Sequence, residues 1–210
     1  MNSAMRWRII TLQAVMVVVL AGAAAFAYGL GTFTTGQIRD ELAAQQVFFP
    51  AADQIKAGGA LDPAKFSQEI RDQAGNQVTD GNQARIYAND FVGVHLKSTA
   101  GGLTYASVGT KISQLKAQLA TMQPTDPGYA DIQTQITTLT AQRETLFKGE
   151  TLRSMLLNAY GWWTIGTYTT YAAFGLLLAA LVVLGAMVFE FVAARRTVKV
   201  RFAKAVAARA

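Results

Sequence analysis

The sequence predicts an all-α membrane protein: two transmembrane helices flanking a helical extracytoplasmic module that contains an antiparallel helical hairpin. Three observations predict it. Two long apolar runs lie near the ends of a 210-residue chain that is 51% hydrophobic. The basic excess behind the net charge of +6 lies outside those runs. The segment between them is punctuated by helix start and stop signals and lacks the strict alternation of a half-buried strand.

The first run, residues 9–30, reads IITLQAVMVVVLAGAAAFAYGL and holds no charge. As a helix it reaches roughly 33 Å, enough for a hydrocarbon core of about 30 Å. A cleaved signal peptide is the competing reading, with Arg6 and Arg8 as its basic region and Ala25-Phe26-Ala27 as its cleavage site. The run is longer than a usual signal core, which favours a retained span preceded by a short N-terminus, residues 1–8. The second span covers residues 166–194; Glu190 is its only charge, and Arg195 and Arg196 close it in a stop-transfer pattern.

Arg6 and Arg8 precede the first span, and Arg195, Arg196, Lys199, Arg201, Lys204 and Arg209 follow the second. Between the spans, 11 Lys and Arg stand against 12 Asp and Glu. The positive-inside rule therefore puts both termini in the cytoplasm and residues 31–165 outside, which makes this a multi-pass plasma-membrane protein. In the basic tail, residues 195–210, Val198, Phe202 and Val206 form one apolar stripe on a cationic helix, suited to the anionic inner leaflet of a lipid bilayer. A plain topology signal accounts for the same charges. Trp162, Trp163, Tyr168 and Tyr171, with Tyr160, precede the second apolar run as an interfacial aromatic belt.

Within the spans, Ala21, Ala25 and Gly29 make a small-residue face on the first helix, and Gly175 and Ala179 one on the second. Such faces let helices approach closely, either each other or those of a partner. Gln13 and Glu190 each lie about five residues inside a cytoplasmic boundary, near 7 Å deep at 1.5 Å per residue. An intramembrane acid is a functional candidate, but a proton path needs several such groups. The simpler expectation is a hydrogen bond between the helices, or snorkelling of Glu190 toward Arg195.

In the outer region, Asp62-Pro63 reads as a cap and first helical residue, followed by PAKFSQEIRDQA and a stop at Gly75. A second helix is expected from about Asn82 to Lys97, with Ala84, Tyr87, Ala88, Phe91 and His95 on one face. Gly101-Gly102 ends it, and Thr104 is placed to cap the next. Heptad spacing follows on both sides of QPTDPG: Ile112, Leu115, Leu119 and Met122, then Tyr129, Ile132, Ile136, Leu139, Arg143 and Leu146. That predicts an antiparallel hairpin over about 108–148, its seam packed on itself or offered to a partner.

The residue inventory points to no catalytic, cofactor or metal site. There is no Cys and a single His, so a metal would need a carboxylate cluster, and the acids are scattered. His95 beside Asp90 could nominally serve as a base, but no serine stands in a nucleophile-elbow context. Gly101-Gly102 follows a helix, whereas phosphate loops precede one. A near-neutral outer region argues against nucleic acid as a partner.

Three stretches carry a resemblance: ARIYANDFVGVHL at 84–96, GGLTYA at 101–106 and Leu152-Arg153-Ser154. With the two spans, the chain resembles actinobacterial two-transmembrane-helix envelope proteins of unassigned function, which often carry an automatic label as aromatic ring-opening dioxygenases. The resemblance implies two spans around an outer module. This chain departs by inserting the hairpin, at about 110–148, and residues near 50–75. The dioxygenase label conflicts with its chemistry, because non-haem iron of that kind takes two histidines and a carboxylate. Spans, belt and helical module together point to a non-catalytic accessory or structural subunit of a plasma-membrane complex, whose partners are other membrane-protein subunits. A respiratory or other energy-transducing assembly is the complex the architecture suggests. The alternative is an extracytoplasmic binding or sensing module for a lipid, glycan or peptide.

Overall fold

The computed structural model describes the backbone of residues 3–207 and the side chains of residues 4–195. The expected stripe Val198, Phe202, Val206 and the basic side chains from Arg196 onward lie outside the described residues. All regular structure among the described residues is helical. Two helices are long and apolar enough to cross a membrane, within Ala4–Ala44 and Tyr129–Arg195. The chain divides into two units, one of Met1–Thr35 with Ile165–Ala210, the other of Gly36–Thr164.

Helix α1 runs unbroken over Ser3–Ala44 and α6 over Tyr129–Ala207. Neither breaks where the expected spans end, at residues 30 and 166. No proline interrupts either one, and the Thr32, Thr34 and Thr35 hydroxyls are satisfied within the helix, bonding back to carbonyls four residues earlier. α1 ends before Gln46, whose φ of 51° is left-handed, and the Ala43 carbonyl accepts from Gln46 N at 3.2 Å and from Gln77 Nε2 at 2.7 Å.

In the first unit the helices are antiparallel neighbours: Trp7 meets Phe191, Tyr28 meets Phe174 and Gly31 meets Gly166. The inward positions recur every seven residues: Ile10, Val17, Ala24 and Gly31 on α1, with Gly166, Ala173, Ala180 and Met187 on α6. A seven-residue repeat keeps one seam facing its partner along supercoiled helices. The expected faces are not the contact. Ala21, Ala25, Gly29, Gly175 and Ala179 are all exposed, because a four-residue step drifts around the helix, off this seam.

In the second unit the 47–50 and 75–78 segments meet through an isolated antiparallel bridge, Phe48 to Gln77, with Phe49 N donating to Asn76 O and Val78 N to Val47 O, both at 2.9 Å. The expected helix from Pro63 is reduced to one turn, α2 (Gln68–Arg71). The Asp62 carboxylate does cap, accepting from Gly58 N and Ala64 N at 2.9 Å, but it closes a turn. Phe66 is buried ahead of an extended Ser67, and the Arg71 guanidinium takes up the Phe66 carbonyl at 2.6 Å. Those two Asp62 bonds, with Lys65 nearby, hold its carboxyl below the usual range.

Helix α3 (Gly81–Ile86) starts at Asp80, whose side chain accepts from Gln83 N at 2.9 Å. A π-helical turn, Tyr87–Val92, then leads into α4 (Gly93–Ser98). Gly93 and Leu96 are buried beyond this wider turn, and His95, though exposed, stacks on Phe91 as Phe91 does on Tyr87, so these rings share one face as expected. Ala100, Gly101 and Gly102 all have positive φ and end the run. Thr104 and Ser107 form a reciprocal capping box at the start of α5 (Tyr105–Leu119).

Two cores result. Leu42, Phe49, Leu61, Phe66, Ile70, Val78, Ile86 and Leu156 are among the residues of the first. The second joins Leu96, Ala100, Val108, Ile112 and Leu146, with Ile136 and Leu139 against it.

Candidate functional site

The hairpin seam leads to the candidate site, which it reaches at Leu146. Ile112, Leu115, Ile132 and Leu146 are buried, while Leu119, Met122, Ile136 and Leu139 are half-buried. Seam spacing continues past Leu146 to Glu150 and Arg153, and there the character changes from apolar to charged. α4 can lie close at this level because Gly149 has no side chain: a methyl there would overlap Leu96.

A cleft of about 410 Å³ opens at this corner. Its walls come from the π-helical turn and α4 (Asn89, Asp90, Gly93, Lys97), the loop into α5 (Gly102 to Tyr105), and α6 (Leu146, Glu150, Arg153). The three stretches singled out in the sequence thus converge on one cavity. Arg153 organises it: Nη2 donates to Asn89 Oδ1 at 3.0 Å and Nη1 to Glu150 Oε2 at 3.3 Å, while Nε is buried with no hydrogen-bond acceptor. Gly93 packs beside the guanidinium, whose Nε lies at contact distance, 3.6 Å, from where a methyl would sit. Burial raises the Asp90 carboxyl above its usual range, Glu69 adds to that and Arg85 opposes it. With Lys97 and Arg153 facing Asp90 and Glu150, the cleft presents both signs of charge, which suits a polar or zwitterionic group more than an apolar one.

His95 does not line this cleft. Its ring lies 4.5 Å from Phe91 and 5.6 Å from Phe66, centroid to centroid, and Nδ1 is 2.9 Å from the Phe91 carbonyl. That carbonyl holds Nδ1 as the donor, so the imidazole is oriented by a structural bond. No group of three or more potential metal ligands occurs among the described residues.

The remaining expected sites are dispersed. Trp162, Tyr168 and Tyr171 are exposed, but Trp163 turns inward against Gly81 with the Arg39 guanidinium 5.9 Å from its ring. Gln13 and Glu190 are half-buried, and Gln13 Oε1 and Glu190 Oε2 are each buried without a hydrogen-bond partner. No bond joins these two side chains, so the expected interhelical hydrogen bond is not formed. Arg153, Asn89 and Gly93 lie in the stretches that carry the resemblance, and spacing alone does not mark them; the change from apolar to charged residues in the heptad register at 150 and 153 is a signal that could.

Comparison with family models, curated proteins and solved structures finds no match to this chain.

Proposed function

We propose that the chain is a non-catalytic accessory subunit of a membrane-protein complex. α1 and α6 span the bilayer with both termini on the cytoplasmic side, and the helical module with its hairpin stands outside. The observation that supports this most is what the helix pair leaves uncovered. Only 6% and 11% of the most apolar stretches of α1 and α6 is buried, whereas the core helix of a soluble protein is mostly covered. The uncovered surface includes the small residues Ala21, Ala25, Gly29, Gly175 and Ala179, and a methyl placed at Gly29 or Gly175 would meet nothing within 4 Å. Lipid covers large and small side chains alike, but another helix gains close backbone approach only from small ones. A respiratory or other energy-transducing assembly of an actinobacterial plasma membrane fits a subunit of this form.

Mild detergent extraction, native electrophoresis and mass spectrometry of the excised band test the reading. The chain is expected well above its own 22.6 kDa, with a fixed set of partner polypeptides, and Gly29→Leu with Gly175→Leu is expected to release it. Migration only as the free chain overturns the proposal. A second reading, an outer binding module, is favoured by the Arg153 cleft; its polar lining fits a peptide or glycan group better than a lipid tail.

A further inference from the structure

At the end of the helix pair that holds residues 4–17 and 180–195, Trp7, Ile10, Met187, Val188 and Phe191 line a cavity of about 320 Å³. Every lining side chain is apolar and no acid contributes. Trp7 stands edge-on to Phe191 with centroids 6.4 Å apart, and both Trp7 and Val188 are more than half exposed, so the cavity opens outward. A cation sits at its rim: the Arg195 guanidinium lies over the Phe191 ring at 4.5 Å. No carboxylate among the described residues pairs with it. Arg6 and Arg8 lie one turn or less from the cavity along α1, against the single acid Glu190.

We propose that this cavity is a binding site for one anionic phospholipid, an acyl chain lying against Trp7, Ile10, Met187, Val188 and Phe191 and the headgroup phosphate on Arg195. The inference rests on the reading of α1 and α6 as membrane spans. Three features select this occupant. The apolar lining takes hydrocarbon and offers a polar ligand nothing. The guanidinium lies over the aromatic face, while its N–H groups still need acceptors that lipid tails cannot supply. A phosphate diester supplies them with charge complementarity, and basic pockets between helices are suited to such headgroups.

The test uses the full chain in phosphatidylcholine bilayers doped with a few mole per cent of dibrominated phosphatidylglycerol or dibrominated phosphatidylcholine. Bromine on the acyl chain quenches a tryptophan it touches, and subtracting the Trp7→Phe signal removes the contribution of Trp162 and Trp163. The brominated anionic lipid is expected to quench Trp7 at a several-fold lower mole fraction than the zwitterionic one. Arg195→Gln is expected to abolish that preference. Arg8→Gln is expected to retain it, because Arg8 lies nearly opposite Ile10 around α1. Equal quenching by the two lipids overturns the site while leaving the spans intact. Equal loss of preference in Arg8→Gln and Arg195→Gln overturns it in favour of a diffuse surface attraction. No Trp7 quenching even in a fully brominated bilayer means that Trp7 lies outside the hydrocarbon, and the span reading fails with the proposal.

Discussion

Gly81 lies directly against Trp163: a methyl group at Gly81 would overlap the Cβ and Cγ atoms of the tryptophan. Gly81 has no positive φ, so its lack of a side chain serves this contact and not a backbone turn. It begins α3 just after the Asp80 cap, where alanine would ordinarily stabilise a helix. Here the overlap is with atoms close to the Trp163 backbone, which cannot swing aside. Gly81→Ala is therefore expected to destabilise the protein by about 1–3 kcal/mol, the usual cost of overpacking. Denaturant unfolding of the single variants and of Gly81→Ala/Trp163→Ala checks this, and the two costs are expected to be strongly non-additive. A neutral Gly81→Ala would contradict the contact.

The seven-residue seam of the helix pair sets a second expectation. A methyl at Gly31 would lie 2.7 Å from the Gly166 carbonyl, whereas one at Gly29 meets nothing within 4 Å. Gly31→Ala is expected to lower the thermal unfolding midpoint of the detergent-solubilised chain. Gly29→Ala is expected to leave it unchanged or raise it slightly, since alanine is the better helix former. Similar losses from both would mean that the contact face is wrongly assigned.

How legible these features were in the sequence follows from the kind of signal each one left. Apolar length and charge-free runs pointed to two long helices, and the 3-4 spacing from Ile112 to Leu146 named side chains that are buried or half-buried. Of the two uses expected for the small residues four apart, packing of this helix pair on itself falls to a different face. Ala24 and Gly31, and Gly166, Ala173 and Ala180, recur at seven, and in a run so rich in alanine and glycine several small-residue faces compete. Tyr87, Phe91 and His95 share a face as their spacing predicts, although the helix widens through Tyr87–Val92, and His95 sits at the exposed edge of that face. The helix expected from Pro63 is interrupted at Ser67, whose backbone is extended, with Phe66 and Ile70 buried on either side of the break. The cleft's walls hold the stretches that carry the resemblance, but their meeting was not legible, since residues about 60 apart in sequence come together where Gly149 admits Leu96.

Asp90 gives a pH-dependent prediction. Its carboxyl is raised above the ordinary value of 3.8, chiefly by burial and then by Glu69. The native state thus holds this proton more tightly than the unfolded chain. The group costs stability at neutral pH and ceases to do so once pH falls below the ordinary carboxylate value. Asp90→Asn is expected to raise the unfolding midpoint at pH 7, and the gain is expected to vanish near pH 3. Comparing the two proteins at each pH cancels the other titrating groups. A gain that persists unchanged at low pH would show that the carboxylate charge is not its source.

Arg153 gives the last prediction, because its two polar contacts differ in setting. The bond to Asn89 joins residues 64 apart in sequence and is partly buried, at 3.0 Å. The pair with Glu150 lies within one helix turn at 3.3 Å, with the carboxylate half exposed. An exposed ion pair is worth about 0–1 kcal/mol, while a hydrogen bond to a charged group is worth about 1.5–3 kcal/mol. Arg153→Ala is accordingly expected to cost about 1.5–3 kcal/mol, the range for losing such a bond. Double-mutant cycles are expected to assign more coupling to Arg153 with Asn89 than to Arg153 with Glu150. Added salt should weaken the second coupling and barely change the first, since only the exposed pair is screened. Arg153→Lys keeps the charge but loses the planar fork, so it is expected to retain part of the Glu150 coupling and little of the Asn89 coupling. If Glu150 instead proves the dominant partner, Arg153 is a solvent-side ion pair and not the element that ties α6 to the π-helical turn.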